Sequence, residues 1–195
     1  MKKKYLILIG IVAVAVILIV RYFAVGHQTP SGQPQLLAIT PQNVPQFAAE
    51  FNRSRNVERV VLLMSPTCPV CLEGSSSIEA ILRRHPGNNI RIFAVWEPML
   101  PTDWGRPSTD VMARLSDPRV TQFWDSHHLI ARLVEKGADG RRPACCSING
   151  NWWDVIATYP PTSKWTASAP VPELLNGTIV HTAPELRSQL EQHSS

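Results

Sequence analysis

The chain has 195 residues, 44% of them hydrophobic and 17% charged, with a formal net charge of +4. Lys2, Lys3, Lys4 and Arg21 are the only charges in the first 26 residues, and setting those four aside leaves 15 basic against 15 acidic residues. A neutral body of this size supports one domain with a proper core, and it excludes nucleic acid as the expected partner.

In chain order, the basic start is followed by an apolar run from Tyr5 to Val20, extended past Arg21 by Tyr22-Phe23-Ala24-Val25. This run reaches the length needed to span a bilayer. Three lysines before it and one arginine after it predict a cytoplasmic N-terminus and an exported remainder. Ala24-Val25-Gly26 has the small residues of a cleavage site, but the run is long for a signal peptide, so residues 1–26 read as an uncleaved anchor. His27 to Gln35 is rich in Pro, Gln, Ser and Gly and reads as a flexible linker, leaving 36–195 as the domain.

Leu36-Leu37-Ala38-Ile39 predicts a short strand. Val44, Phe47, Ala48 and Phe51 recur at helical spacing and predict a helix over 42–56. Arg59 to Met64 reads as a buried central strand. The next helix carries Cys71, Ser75, Ile78, Ile81 and Leu82 on one face and ends at His85-Pro86-Gly87. Ile90 to Val95 is a second strand. Asp117-Pro118 reads as an N-cap and first-turn proline for a helix carrying Val120, Phe123 and Trp124, and Leu129 to Gly137 continues helical spacing. Trp152 to Tyr159 predicts one strand. Val171 to Leu175, Asn176-Gly177 and Thr178-Ile179-Val180 predict a hairpin, and Thr182-Ala183-Pro184-Glu185 a capping box opening the last helix.

The chemistry concentrates at Cys68-Pro69-Val70-Cys71, between the central strand and its helix. A helix N-terminus stabilises a thiolate on Cys68, and two intervening residues are a span that a disulfide can close. A redox pair, a static disulfide and half of a zinc site all use this pattern. Zinc wants a second ligand pair at ligand spacing, for which the adjacent Cys145-Cys146 is a poor match. Cys145-Cys146 itself admits two structural thiols, a vicinal disulfide exchanging with the first pair, or a soft-metal site for copper(I). His127-His128 reads as a solvated pair, and no nucleotide-binding glycine loop occurs.

The motif and the order strand, cysteine helix, strand, helices, hairpin, terminal helix resemble the thioredoxin superfamily from about Leu36 to the C-terminus. The resemblance implies an α/β fold, a central mixed sheet flanked by helices, with the span from about Pro98 to Trp165 as an insertion. It implies that Cys68 attacks a substrate disulfide and Cys71 resolves the mixed disulfide, with no cofactor because the thiols carry the electrons. It further implies a cis proline facing the cysteines, for which Pro172 is the best match and Pro170 the fallback. Cys-Pro-x-Cys resembles glutaredoxins and periplasmic disulfide oxidases and isomerases, whereas the tryptophan that precedes the first cysteine in thioredoxins is replaced by Pro66-Thr67. The expected function is thiol–disulfide exchange on exported cysteine-containing proteins, with a membrane or soluble redox partner regenerating the site. The rivals are a copper(I)- or protein-binding module with a structural disulfide, and a peroxide reductase in which Ser65 stands where a threonine is wanted.

Overall fold

The computed structural model describes residues 2–87 and 89–192. Strand β2 (Glu58–Met64) is buried along its whole length, which a strand flanked by neighbours and helices on both faces requires. Its residues alternate between two cores. Val60, Leu62 and Met64 face α3 (Pro69–Arg84) and α6 (Ile179–Gln192), meeting Ile78, Leu82, Ile179 and Leu186. Val61 and Leu63 face α2 (Val44–Arg53) and α5 (Leu129–Gly137), meeting Phe47, Phe51, Ile130 and Val134. The period of two along the strand thus decides which helix pair covers which face.

The sheet order is β1-β4-β3-β2-β7-β8, formed by β1 (Leu37–Ala38), β4 (Val120–Trp124), β3 (Ile90–Trp96), β2, β7 (Val155–Tyr159) and β8 (Leu175–Gly177). The first four run parallel to one another, whereas β7 is antiparallel to both β2 and β8. The fold is therefore α/β, a mixed central sheet between helices. A short helix α4 (Thr109–Met112) and a two-stranded ribbon, β5 (Ser147–Ile148) with β6 (Asn151–Trp152), complete it.

Several expectations are corrected. Val120, Phe123 and Trp124 mimic helical spacing but belong to β4, which is buried between β3 and β1. Asp117 does not cap a helix; its carboxylate accepts from Arg119 N, Nε and Nη2. Gln122, inside this strand, accepts from Trp96 Nε1 and donates to Gln33 Oε1 and the Met112 carbonyl, so a buried polar residue is satisfied. Asn176-Gly177 makes no hairpin turn. It lies in β8 opposite Ile156 and Val155, and the β7–β8 connection is the 160–174 loop. The last helix starts at Ile179, a turn before the expected capping box. Trp152 to Tyr159 is two strands, broken at Trp153-Asp154, where Asp154 has φ +53°.

Residues 27–35 are fastened to the domain rather than free. The Gly26 carbonyl accepts from Thr109 N, the His27 ring bonds the Pro107 carbonyl, and Gln33 Nε2 donates to the carbonyls of Leu115 and Asp117. Helix α1 (Lys2–Val25) is continuous, and the side chains of 2–6, 8, 18 and 21–25 lie outside the described residues. Among the described residues no helix is long and apolar enough to cross a membrane.

One buried cation ties the sheet to the 160–174 loop. Arg59 is fully buried over the Phe51 ring, and its Nη atoms donate to the carbonyls of Ser54, Val57, Pro160, Pro161 and Ser163. Burial holds its pKa below the ordinary arginine value. Arg59→Met would leave five carbonyls without this donor, and a loss of about 3–5 kcal/mol in urea unfolding is expected. A loss below about 1 kcal/mol would show that water replaces the guanidinium.

Candidate functional site

The site forms beyond the C-terminal end of β2, beside the N-terminal end of β7. Cys68 is the N-cap of α3, extended at φ −77° and ψ 115°, and Pro69 follows in the first turn, where its missing N–H is no loss. Cys68 is 8% exposed and Cys71 is wholly buried, both as free thiols. The order expected from the helix face therefore holds: the first cysteine keeps an edge to solvent and the second has none.

Hydrogen bonding prepares Cys68 as a nucleophile. The Cys71 thiol, the Cys71 backbone N–H and the Trp153 indole all donate toward its sulfur, and they hold its pKa down at about 6 against burial and the charge of Asp154. The Cys71 thiol is pushed far up, first by donating to Cys68, then by burial and by Asp154. The pair thus shares one proton held on Cys71, the arrangement that leaves one thiolate and one latent thiol.

Trp153 and Asp154 reach the cysteines because the chain breaks between β6 and β7. Asp154 is 2% exposed, and its Oδ1 accepts the Ile179 N–H at 3.1 Å, so it fastens the start of α6. The single Cys71 proton is shared between Cys68 Sγ and this carboxylate, the second hydrogen-bonding neighbour of the Cys71 thiol. Burial pushes the Asp154 carboxyl above its ordinary value, opposed by those two hydrogen bonds and by His181. From the sequence Trp153 reads chiefly as one of the tryptophans packing the insertion against the sheet, and Asp154 carries no motif. The only signal was a Trp-Trp-Asp step inside what read as one strand.

The approach to Cys68 is held by a second carboxylate. Asp103 accepts from Ser65 Oγ at 2.7 Å, Thr67 N at 3.0 Å, Thr67 Oγ1 at 2.6 Å, Met99 N at 2.8 Å and Leu100 N at 2.7 Å. This pins the Ser65-Pro66-Thr67 turn and commits the hydroxyl proton of the fully buried Ser65 to Asp103. A cleft of about 600 Å³ opens beside this turn, lined by Pro66, Thr67, Thr102, Trp104, Arg106 and Val111, and Trp104 is 92% exposed.

Cys145 and Cys146 are joined to each other as a disulfide. Pro172 is not brought to the site. It lines a cavity of about 900 Å³ with Asn56, Val57 and Glu58, at the start of β2, whereas the cysteines lie beyond its end. Among the described residues the one cis peptide is Gly177-Thr178, so neither Pro172 nor Pro170 follows a cis bond. The reason is the register: Glu173 N donates to the Thr158 carbonyl and Leu175 stands opposite Ala157, which leaves residues 170–172 at the far end of the sheet. His128 is not solvated as expected; its Nδ1 lies 2.8 Å from Oε2 of the buried Glu97, which raises the histidine pKa. Among the described residues no three His, Cys, Asp or Glu side chains gather as a metal site.

No protein-family model and no curated protein matches this chain. Among solved structures, it is similar to a secreted disulfide oxidoreductase of Mycobacterium tuberculosis, described as homologous to E. coli DsbE, at 12% identity and a TM-score of 0.40, over 70% of this chain and 82% of that one. It is also similar to the thioredoxin domain of a thiol-disulfide oxidoreductase from Bacteroides vulgatus, at 12% identity and a TM-score of 0.38, over 69% and 82%. Likenesses of this size do not assign a family.

Proposed function

We propose that this protein is a thiol–disulfide oxidoreductase of thioredoxin-like architecture, acting through Cys68 and Cys71 on cysteines of other exported proteins. The observation that carries the reading is one thiol at a 16-residue helix N-terminus, held near pKa 6 by a buried second thiol that touches a buried carboxylate. The Cys68 thiolate attacks one sulfur of a substrate disulfide, and the other substrate sulfur leaves as a thiolate. Cys71 then gives its proton to Asp154 and attacks Cys68 Sγ, which breaks the mixed disulfide and leaves Cys68–Cys71 oxidised. Read in reverse, the same steps oxidise a substrate dithiol. An extended substrate segment is accommodated by the cleft beside Thr67, where Trp104 offers an exposed apolar face.

The exported location belongs to the same proposal. It is supported by the lysines preceding an apolar run and by helix α1, whose described isoleucines and valines stand 52–64% exposed, an arrangement that suits lipid better than water. A membrane or soluble redox partner resets the pair, and no organic cofactor is called for by two-electron thiol chemistry.

The test is equilibration of the protein in graded glutathione buffers, with each cysteine read by alkylation and mass spectrometry. Cys68 and Cys71 are expected to titrate together as a two-electron couple between about −120 and −280 mV. A pair that stays in one state across that range is structural, and the enzyme reading fails.

A further inference from the structure

We propose that Cys145–Cys146 is a second redox centre, which takes the electron pair of Cys68 and Cys71 within the same chain; this rests on Cys68 and Cys71 being exchange-active. The two pairs flank one short stretch of backbone. On one side, the Trp153 indole donates to Cys68 and the Asp154 carboxylate meets Cys71. On the other, the Trp153 N–H donates to the Cys146 carbonyl at 3.1 Å. Cys145 packs against the neighbouring strand residue: a methyl on Gly177 would stand 3.3 Å from Cys145 Sγ and 2.7 Å from the Asp154 carbonyl. Trp153, Asp154 and Gly177 are thus the shared wall between the thiols and the disulfide.

The disulfide lies in a largely exposed segment beside that wall. Cys145 and Cys146 are half-buried, while Arg141, Arg142, Ala144 and residues 147–150 around them are exposed. Gly140 and the Asn149-Gly150 turn of the β5–β6 ribbon, with φ of +76°, +51° and +79°, bracket the pair. Cys146 itself has φ +82°, a conformation that L residues rarely adopt, and opening the Cys145–Cys146 bond frees it from that constraint. A disulfide formed merely to staple a loop would bridge distant residues. This one joins neighbours and closes no loop, so a stabilising role through loop closure is minimal.

The exchange balances without another reactant. The Cys68 thiolate attacks Cys145 Sγ or Cys146 Sγ, the Cys145–Cys146 bond breaks, and the released sulfur leaves as a thiolate. Cys71 loses its proton and attacks Cys68 Sγ, breaking the mixed disulfide. Cys68 and Cys71 end oxidised, Cys145 and Cys146 end reduced as one thiol and one thiolate, and the proton of Cys71 passes to the second pair.

The test uses the full chain with two double substitutions, Cys71→Ser/Cys145→Ser and Cys71→Ser/Cys146→Ser, each left with Cys68 and one partner. Both are incubated with oxidised glutathione, and linked peptides are identified by mass spectrometry of the monomer band. At least one variant is expected to carry Cys68 linked to the remaining cysteine, tenfold or more over its Cys68–glutathione adduct, independent of protein concentration. Cys71→Ser alone, with Cys145–Cys146 intact, provides a second readout that perturbs the loop less: it should yield the same Cys68 link and one new free thiol. Glutathione on Cys68 with no internal link in any of the three variants overturns the relay and leaves the primary site standing. A Cys68 that takes up neither glutathione nor an internal partner overturns both.

Discussion

Cys71→Ala, placed in a chain whose Cys145 and Cys146 are both replaced by serine, is expected to accumulate disulfide-linked complexes through Cys68 under turnover conditions, while Cys68→Ser abolishes exchange and traps nothing. The asymmetry follows from burial. Cys68 keeps an edge to solvent and can meet a substrate disulfide, whereas Cys71 is wholly enclosed and reaches only Cys68. Once Cys71 is gone, the mixed disulfide has no internal nucleophile to resolve it. The same substitution should change how Cys68 titrates. In the native protein, alkylation of Cys68 should reach half its maximal rate near pH 6, with roughly nine-tenths thiolate at pH 7. The Cys71 thiol is the leading cause of that depression, so Cys71→Ala should move the midpoint upward, toward about 8.5. Cys71→Ser keeps a hydroxyl donor and should move it less. Rapid-quench alkylation across pH 4–10 reads all three. A midpoint that stays near 6 in Cys71→Ala would assign the thiolate to the helix N-terminus and the Trp153 indole instead.

What the sequence made legible was local. The buried strand, the cysteine helix and the next strand stand within a residue or two of their expected places, because continuous apolar runs and a proline after an N-cap carry their own geometry. The misreadings share a cause. Val120, Phe123 and Trp124 satisfy a helical period, but five residues cannot separate that period from a strand buried on both faces, and pairing with β3 decided it. Asn176-Gly177 is a turn signal in isolation. Here Asn176 accepts from Ala144 N instead, and the close approach of the Asp154 carbonyl leaves no space for a side chain at position 177. Half of the site, Cys68 and Cys71, is written as a motif. The other half, Trp153 and Asp154, is eighty residues away and becomes visible only when β7 pairs antiparallel to β2 and brings its first residues to the end that holds the cysteines. Pro172 failed for the same reason in reverse, since a register set by Leu175 opposite Ala157 carries residue 172 to the other end.

Asp154→Asn is expected to separate the two steps of the cycle. Asparagine keeps an oxygen for the Ile179 N–H, so the start of α6 stays fastened, but it cannot accept the proton of Cys71. Loss of a positioned base slows proton transfer by about 10²–10⁴-fold. The resolution of a Cys68–glutathione adduct, followed by glutathione release, should slow accordingly, while alkylation of Cys68 persists, because the Asp154 charge opposes the Cys68 thiolate. Stability should move the other way. The folded pKa of Asp154 lies above its unfolded value, so the contribution of this group is full below the unfolded pKa and is lost as pH rises through the folded one. Once the pH has risen above the folded pKa, the native chain has lost it. The urea midpoint of Asp154→Asn relative to the native protein should therefore rise as pH is raised from 3, with no gain at pH 3. Activity falling while stability holds or rises is what a buried carboxylate kept for chemistry predicts. If resolution proceeds at the native rate, Asp154 is a cap for α6 and Cys71 sheds its proton elsewhere.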